Sequence, residues 1–345
     1  KDNFIKWLSS VPAAISAITL FAFLTLIMGF IPQSDLHDSI FTKLGLTHMT
    51  QSWEFLFIVV YLEFILGLTI VRRIQKFSLS DTSFVLNHMG LWLIIFSIGF
   101  GSGDLKRWNM SIREGETVWY AFDSKNKRHE LNFAFKLKDF RMEQYQPKIG
   151  VISADGYHIP EKYKDQMFRS GRDVEAQIGN WKIMIDTFYR FSVKDDNRYY
   201  RNRKEGATYS AFVTVKNMNK NKVEKGWISC GSYSMRPKAL RLNKKFMITM
   251  AAPEPKKYSS DMMLYVKEGI KKEVSLEVNK PLKVSGWKIY QAGYNQRKGR
   301  WSETTKLEIV RDPWLPVVYS GIFMLLGGAL MLFWSGRRKQ TKKRK

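Results

Sequence analysis

Four stretches of this chain are apolar over the length a bilayer crossing requires, roughly 17 to 25 residues: Pro12–Ile31, Phe55–Val71, Phe84–Phe100 and Trp314–Trp334. A polar stretch from Asp104 to Asp312 separates the third from the fourth. Within it the pattern changes to short runs alternating apolar with polar and rich in aromatic and β-branched residues, among them LNFAFKLKDFRM, WKIMIDTFYR, TYSAFVTVKN, FMITM, VSLEV, WKIYQAGY and TTKLEIV. Such runs predict antiparallel strands, in a sandwich or an irregular β domain. The polar stretch Asp155–Gly179 and the strongly charged Asp195–Gly206 predict long loops. The expected architecture is therefore an integral membrane protein. Three transmembrane α-helices (about 12–31, 55–71 and 84–100) occupy residues 1–103, and a mainly-β domain spans 104–312. A fourth helix lies within 313–336, and a basic, unstructured tail covers 337–345. Asp312 followed by Pro313 is a helix-start signal, and Asp81, Thr82 and Ser83 offer caps for the third span. Gly321 and Gly328, with Gly327 beside them, leave room for another helix against the fourth.

Charge sets the orientation. The chain has 345 residues and a formal net charge of +25. Lys1 and Lys6 precede the first span, Arg72, Arg73 and Lys76 lie between the second and third, and seven basic residues fall in 337–345, whereas the loop after the first span carries Asp35 and Asp38. By the positive-inside rule both termini are cytoplasmic and the β domain is extracytoplasmic. Asp104–Asp312 holds 43 basic and 25 acidic residues, a surplus of 18, but long translocated domains are largely exempt from that rule. The surplus admits membrane lipid headgroups, a polyanionic partner or cofactor carboxylates as its counterpart, with a solvated surface as the plain reading; a domain outside the membrane leaves no place for nucleic acid. The first span is longer than a signal-peptide core and MGFIPQS lacks an A-x-A-like site, so it is expected to be retained. Lys1 in place of an initiator methionine implies residues upstream.

Candidate chemistry is sparse. His88 sits one turn inside the third span, where helical spacing puts Phe84, His88, Leu91, Trp92 and Ile95 on one side. A neutral imidazole there is suited to metal or proton binding, and the face suits a flat aromatic ligand held through an axial histidine; a packed or hydrogen-bonded helix-end histidine is the competing reading. Glu63, in VVYLEFILG near the middle of the second span, is a candidate to orient the His88 imidazole. Depth opposes a close fit: Glu63 lies about 13 Å along the helix from Arg72, and His88 about 6 Å from Phe84. His37 and His48, eleven positions apart, match no compact metal spacing. His129 and His158 fall in polar loop sequence away from any nucleophile, the carboxylates are scattered, and the glycines form no phosphate cradle, so no catalytic residue is assigned. Cys230 is the sole cysteine and cannot form an internal disulfide or act as a dithiol. These residues alone leave open a protein that handles a flat aromatic ligand, a membrane-anchored scaffold or sensor with a β domain and no cofactor, and a proton pathway through Glu63 and His88.

Longer segments narrow the field. LNHMGLW around His88, FKLKDFRMEQYQPKIG, VNKPLKVSGWKIYQAGY and LEIVRDPWLPVVYSGIF, with the order of three spans, a large domain and a fourth span, resemble the ResB/CcsB family of cytochrome c biogenesis proteins, the System II type. The resemblance is weakest from about Asp155 to Lys271. It implies a protein of the bacterial inner membrane that is no enzyme on its own but a subunit of a holocytochrome c synthase complex, working with a CcsA-type partner to carry heme b outward for attachment to apocytochrome c. It implies too that His88 corresponds to the family's transmembrane heme ligand; on helical position, Trp92 is then a candidate pocket wall and Glu63 a candidate to stand behind the histidine. The resemblance also implies that the second axial ligand comes from the partner, which fits the absence of a histidine from the other spans; thiol-reducing proteins are further expected partners. The chain has no tryptophan-rich heme-handling loop.

Overall fold

The computed structural model describes residues 7, 10–33, 40–43, 45–155, 157–267 and 269–343, with side chains as far as Trp334. Lys1, Lys6, Asp35, His37 and Asp38, which carried part of the reading above, lie outside the described residues, as do Arg344 and Lys345. The chain divides into two compact units, one of residues 1–105 with 311–345 and one of 106–310.

Among the described residues, four helices of the first unit are long and apolar enough to cross a membrane: α1 (Val11–Phe30), α2 (Trp53–Gln75), α3 (Thr82–Gly101) and the apolar part of α4 (Leu315–Lys343). Each of three starts is fixed by a side-chain cap. Ser10 accepts from Ala13 N at 3.4 Å, Ser52 from Phe55 N at 3.3 Å, and the Asp312 carboxylate from Trp314 N and Leu315 N at 3.0 Å. Asp81 acts differently from a simple cap for α3. It accepts from Ser78 N at 3.1 Å in the preceding turn and holds Arg73 of α2 at 2.6 Å, clamping the end of α2 to the start of α3. The tail expected to be unstructured continues α4 to Lys343, since residues 337–343 are mostly good helix formers. Ala13 and Ala17 of α1 pack on Ile65 of α2. Between α3 and α4 the backbones meet. A Cβ on Gly90 would lie 2.6 Å from the Gly321 carbonyl oxygen, one on Gly321 would lie 2.7 Å from that of Gly90, and one on Gly328 would lie 2.9 Å from Asn87 N. Only glycine allows that approach.

The second unit is β-rich and its strands pair antiparallel. Eight of them build one sheet and core: β1 (Lys106–Arg113), β2 (Thr117–Phe122), β3 (Arg128–Gln144), then β13 (Pro255–Val266), β14 (Lys271–Glu277), the short β15 (Leu282–Val284), β16 (Trp287–Tyr294) and β17 (Thr304–Arg311), in the order β14-β13-β3-β2-β1-β17-β16-β15. Its apolar residues, including Ile112, Phe135, Leu137, Ile289 and Leu307, form a single cluster drawn entirely from this sheet, so the sheet curves around its own inner face. The stretch between β3 and β13 makes two smaller sheets. One joins β6 (Glu175–Ile178), β7 (Trp181–Asp195), β8 (Arg198–Arg201), β9 (Thr208–Asn217) and β10 (Val223–Ser229); the other joins β4 (Lys148–Ser153), β5 (Phe168–Arg169), β11 (Leu240–Arg241) and β12 (Phe246–Met250). Ile149 and Ile248 from one and Ile183, Val213 and Ile228 from the other share a second core. Each such buried side chain contributes about 1.5–3 kcal/mol relative to exposure.

The predicted strands in β3, β7, β9, β12, β14, β16 and β17 are all present. Two predicted loops are corrected: Asp155–Gly179 contains a helical turn at Glu161–Lys164 with β5 and β6, and Asp195–Gly206 contains β8. Polar composition misled there because β8 is short and lies off the main path of its sheet, leaving three of its four residues exposed.

Glu277, at the end of β14, accepts from Lys257 of β13 at 2.7 Å and Lys280 at 2.8 Å, which hold its carboxyl down from the ordinary 4.5 to about 2. A depressed folded-state value stabilises above the ordinary carboxylate range and is lost as pH falls through about 2. Glu277→Gln should therefore lower the melting temperature at pH 7, with the gap from wild type closing between pH 4.5 and 2 in a thermal-unfolding series.

Candidate functional site

Helical spacing lines up aromatic rings every fourth residue along α3: Phe84, His88, Trp92, Phe96 and Phe100. The His88 ring stacks on Phe84 with centroids 3.7 Å apart, and its Nδ1 lies 2.8 Å from the Phe84 carbonyl oxygen. A carbonyl can only accept, so Nδ1 carries a proton, and in the neutral imidazole Nε2 then keeps its lone pair. Nε2 has no partner among the described residues. The ring is half-buried. Arg73 lies over the Phe84 ring, its guanidinium 5.1 Å from the centroid. The neighbours of His88 in sequence are pinned as well, Asn87 against Gly328 and Gly90 against Gly321, which fixes the rotation of α3 about its axis.

Trp92 continues the stripe one turn on. Its indole nitrogen would lie 3.3 Å from a Cβ on Gly67 of α2, and its ring stacks on Phe96 at 5.0 Å. Phe96 in turn meets Phe100 at 4.5 Å and Trp314 at 5.9 Å. Glu63 stands one turn before Gly67 on the same face of α2, with both carboxylate oxygens buried and unpartnered among the described residues. Because α2 and α3 are consecutive, packed and joined by a short turn, they run antiparallel. Glu63 and His88 then lie on opposite sides of the Gly67–Trp92 contact, about 12 Å apart along the axis. The structure brings His88 and Trp92 onto one stripe and does not bring Glu63 to His88. The partner that orients the imidazole is the carbonyl four residues back, a possibility present in every helix and therefore silent in the sequence.

In the β domain, His129 belongs to β3 rather than to a loop. It stacks on Trp108 at 4.4 Å and bonds Asp123 Oδ2 through Nε2 at 2.9 Å, and this contact with the Lys127 and Lys125 amides depresses the Asp123 carboxyl. His158 lies in a loop, as expected. Cys230 is half-buried, with Sγ 3.3 Å from Thr208 Oγ1. No group of three metal-ligating side chains occurs among the described residues.

The family model described as "ResB-like family" matches residues 204–302. The similarity to ResB proteins is thereby shown, and it runs from the approach to β9 through β16, including VNKPLKVSGWKIYQAGY and much of the part in which the sequence resemblance was weakest. No curated protein matches the chain. A solved structure titled "Cytochrome c Heme Lyase CcmF" is similar to it at 9% identity and a TM-score of 0.26, covering 94% of this chain and 41% of that one. The chain thus spans less than half the length of that relative, and a likeness of this strength carries no argument about fold or mechanism.

The glycine contacts beside His88 are testable. Gly90→Val should destabilise the protein by about 1–3 kcal/mol through overpacking, whereas Gly99→Ala, with nothing within 4 Å of its Cβ, should leave it unchanged or slightly more stable. Thermal unfolding of the detergent-solubilised protein distinguishes the two.

Proposed function

We propose that this chain is the heme-handling membrane subunit of a cytochrome c biogenesis complex. Its match to the ResB-like family over residues 204–302 supports a role in that process. The observation that carries the finer reading is the tautomer of His88. With Nδ1–H committed to the Phe84 carbonyl, Nε2 offers a lone pair on an apolar helix, the state an axial iron ligand requires. Heme is the cargo, and its iron supplies the Lewis-acidic centre that Nε2 can coordinate.

This chain's own residues then have defined tasks. Phe84 holds the ring twice, by stacking and through its carbonyl, so that Nε2 keeps one direction. Arg73, Asp81 and Ser78 hold the start of α3 in place. Trp92 and Phe96 extend a flat apolar wall from His88 along the helix. One imidazole provides one of two axial positions, so a CcsA-type partner supplies the other. Apocytochrome c is the acceptor, with thiol-reducing proteins keeping its cysteines reactive. We place the protein in the bacterial inner membrane with Arg72, Arg73, Lys76 and the basic end of α4 on the cytoplasmic side. The β domain is then extracytoplasmic and serves delivery. His88 accordingly lies in the cytoplasmic half, where heme would enter.

Co-purified with its CcsA-type partner, the wild-type protein should show a Soret band that His88→Ala reduces severalfold and that added imidazole partly restores. Phe84→Leu, which keeps the carbonyl and removes the stacked ring, should weaken the band less. An unaltered spectrum in His88→Ala would remove the ligand role.

A further inference from the structure

Two adjoining clefts open in the β domain, of about 750 and 310 Å³, and both are lined by Met142, Arg300 and Trp301. Arg300 stands on a single 3₁₀ turn, Gly299–Trp301, between β16 and β17. Its Nη2 donates to the carbonyls of Ala207 at 2.8 Å and Arg190 at 3.1 Å, and Trp301 Nε1 donates to the same Ala207 oxygen at 3.1 Å. The guanidinium lies 4.3 Å from the Phe191 centroid and 4.5 Å from that of Tyr209. Arg203 approaches the same Phe191 ring at 5.2 Å.

Six carboxylates and four basic side chains, Arg141, Arg203, Lys257 and Arg300, line the larger cleft, so what matters is which of them are paired. Every carboxylate lining the larger cleft is already engaged: Glu205 and Glu303 by Lys298 at 3.5 and 2.7 Å, Glu277 by two lysines, Asp139 by Arg141 at 3.7 Å, Glu143 by Lys256 at 3.9 Å, and Glu114 by the Phe140 amide at 3.0 Å. The smaller cleft has three basic side chains, Arg297, Lys298 and Arg300, and no carboxylate in its lining. Arg190, Arg203 and Arg300 have no carboxylate partner among the described residues. Burial pushes the Arg300 guanidinium below its ordinary value, and the Arg190 charge adds to this. A largely buried cation held by carbonyls and aromatic faces, with a second arginine on the same ring and open space in front, lacks a counterion.

The geometry points to an oxyanion site at Arg300 and Arg203, over Phe191, which takes a carboxylate or phosphate group of a ligand seated in these clefts. The guanidinium fork recognises both oxyanions. The backbone carbonyls bound by Arg300 fix the fork in advance, and the exposed Arg203 closes on the ligand. The site is independent of His88 and of any iron.

Isothermal titration of the full-length protein in detergent with inorganic phosphate and with citrate tests it, beside binding to nanodiscs of anionic or zwitterionic phospholipid. Arg203→Gln and Arg300→Lys should each weaken binding by about tenfold, the size expected on losing one charge-assisted hydrogen bond. Arg128→Gln, which lines neither cleft, should not. Loss seen with the soluble anions assigns a soluble ligand; loss seen only on anionic nanodiscs assigns a lipid headgroup. Wild-type binding no tighter than that of Arg203→Gln, or an equal loss in Arg128→Gln, overturns the site.

Discussion

One hydrogen bond governs what the helical unit can do: Nδ1–H of His88 to the carbonyl of Phe84. In a helix that oxygen already accepts from the backbone amide four residues on, and its second lone pair is normally idle in hydrocarbon. Using it for the imidazole satisfies one polar group without a second buried side chain. It also decides which nitrogen is left to act. A carboxylate in the same role would have added a charge at a depth where charge is costly. The Glu63 carboxyl oxygens lack partners among the described residues, and the residue sits too far along the helix to serve His88.

That bond has value only if α3 cannot turn. The close approach of α3 to α4 through Gly90, Gly321 and Gly328 provides this. Helices in lipid gain little from apolar contact alone, so backbone proximity and dispersion between small residues set their packing. The clamp between Arg73 and Asp81 sets the register of α2 against α3 in the same way. The imidazole direction thus depends on glycine positions as well as on Phe84, which touches it.

Much of this was legible in the chain. Period and length located the four long helices, and alternation located strands such as β9, β12 and β16 to the residue. Gly321 and Gly328 announced a tight helix contact because nothing else in an apolar run needs a missing side chain. The Phe84 carbonyl was illegible, since a backbone atom has no letter. The strands inside the two polar stretches were missed because a strand exposed on most of its length has no alternation to read. The arginines around Phe191 come from β7, the segment after β8, and the turn before β17, and only the fold makes them neighbours. His129 read as a loop residue because RHE precedes the apolar part of β3, although its partner Asp123 was six residues away.

The sheet order holds a further consequence. β1 and β17 are neighbours, and Arg107 reaches Glu308 across them at 3.3 Å, so the first and last strands of the domain meet only after some 200 residues have been made. β4 to β12 pair solely with one another and own a separate core. During synthesis the inner portion can therefore acquire its structure while the outer sheet still waits for its final strand. Loop closure over so long a span is slow. A chain interrupted before β17 would keep a folded centre inside an open, unpaired rim, a form that invites aggregation or proteolysis.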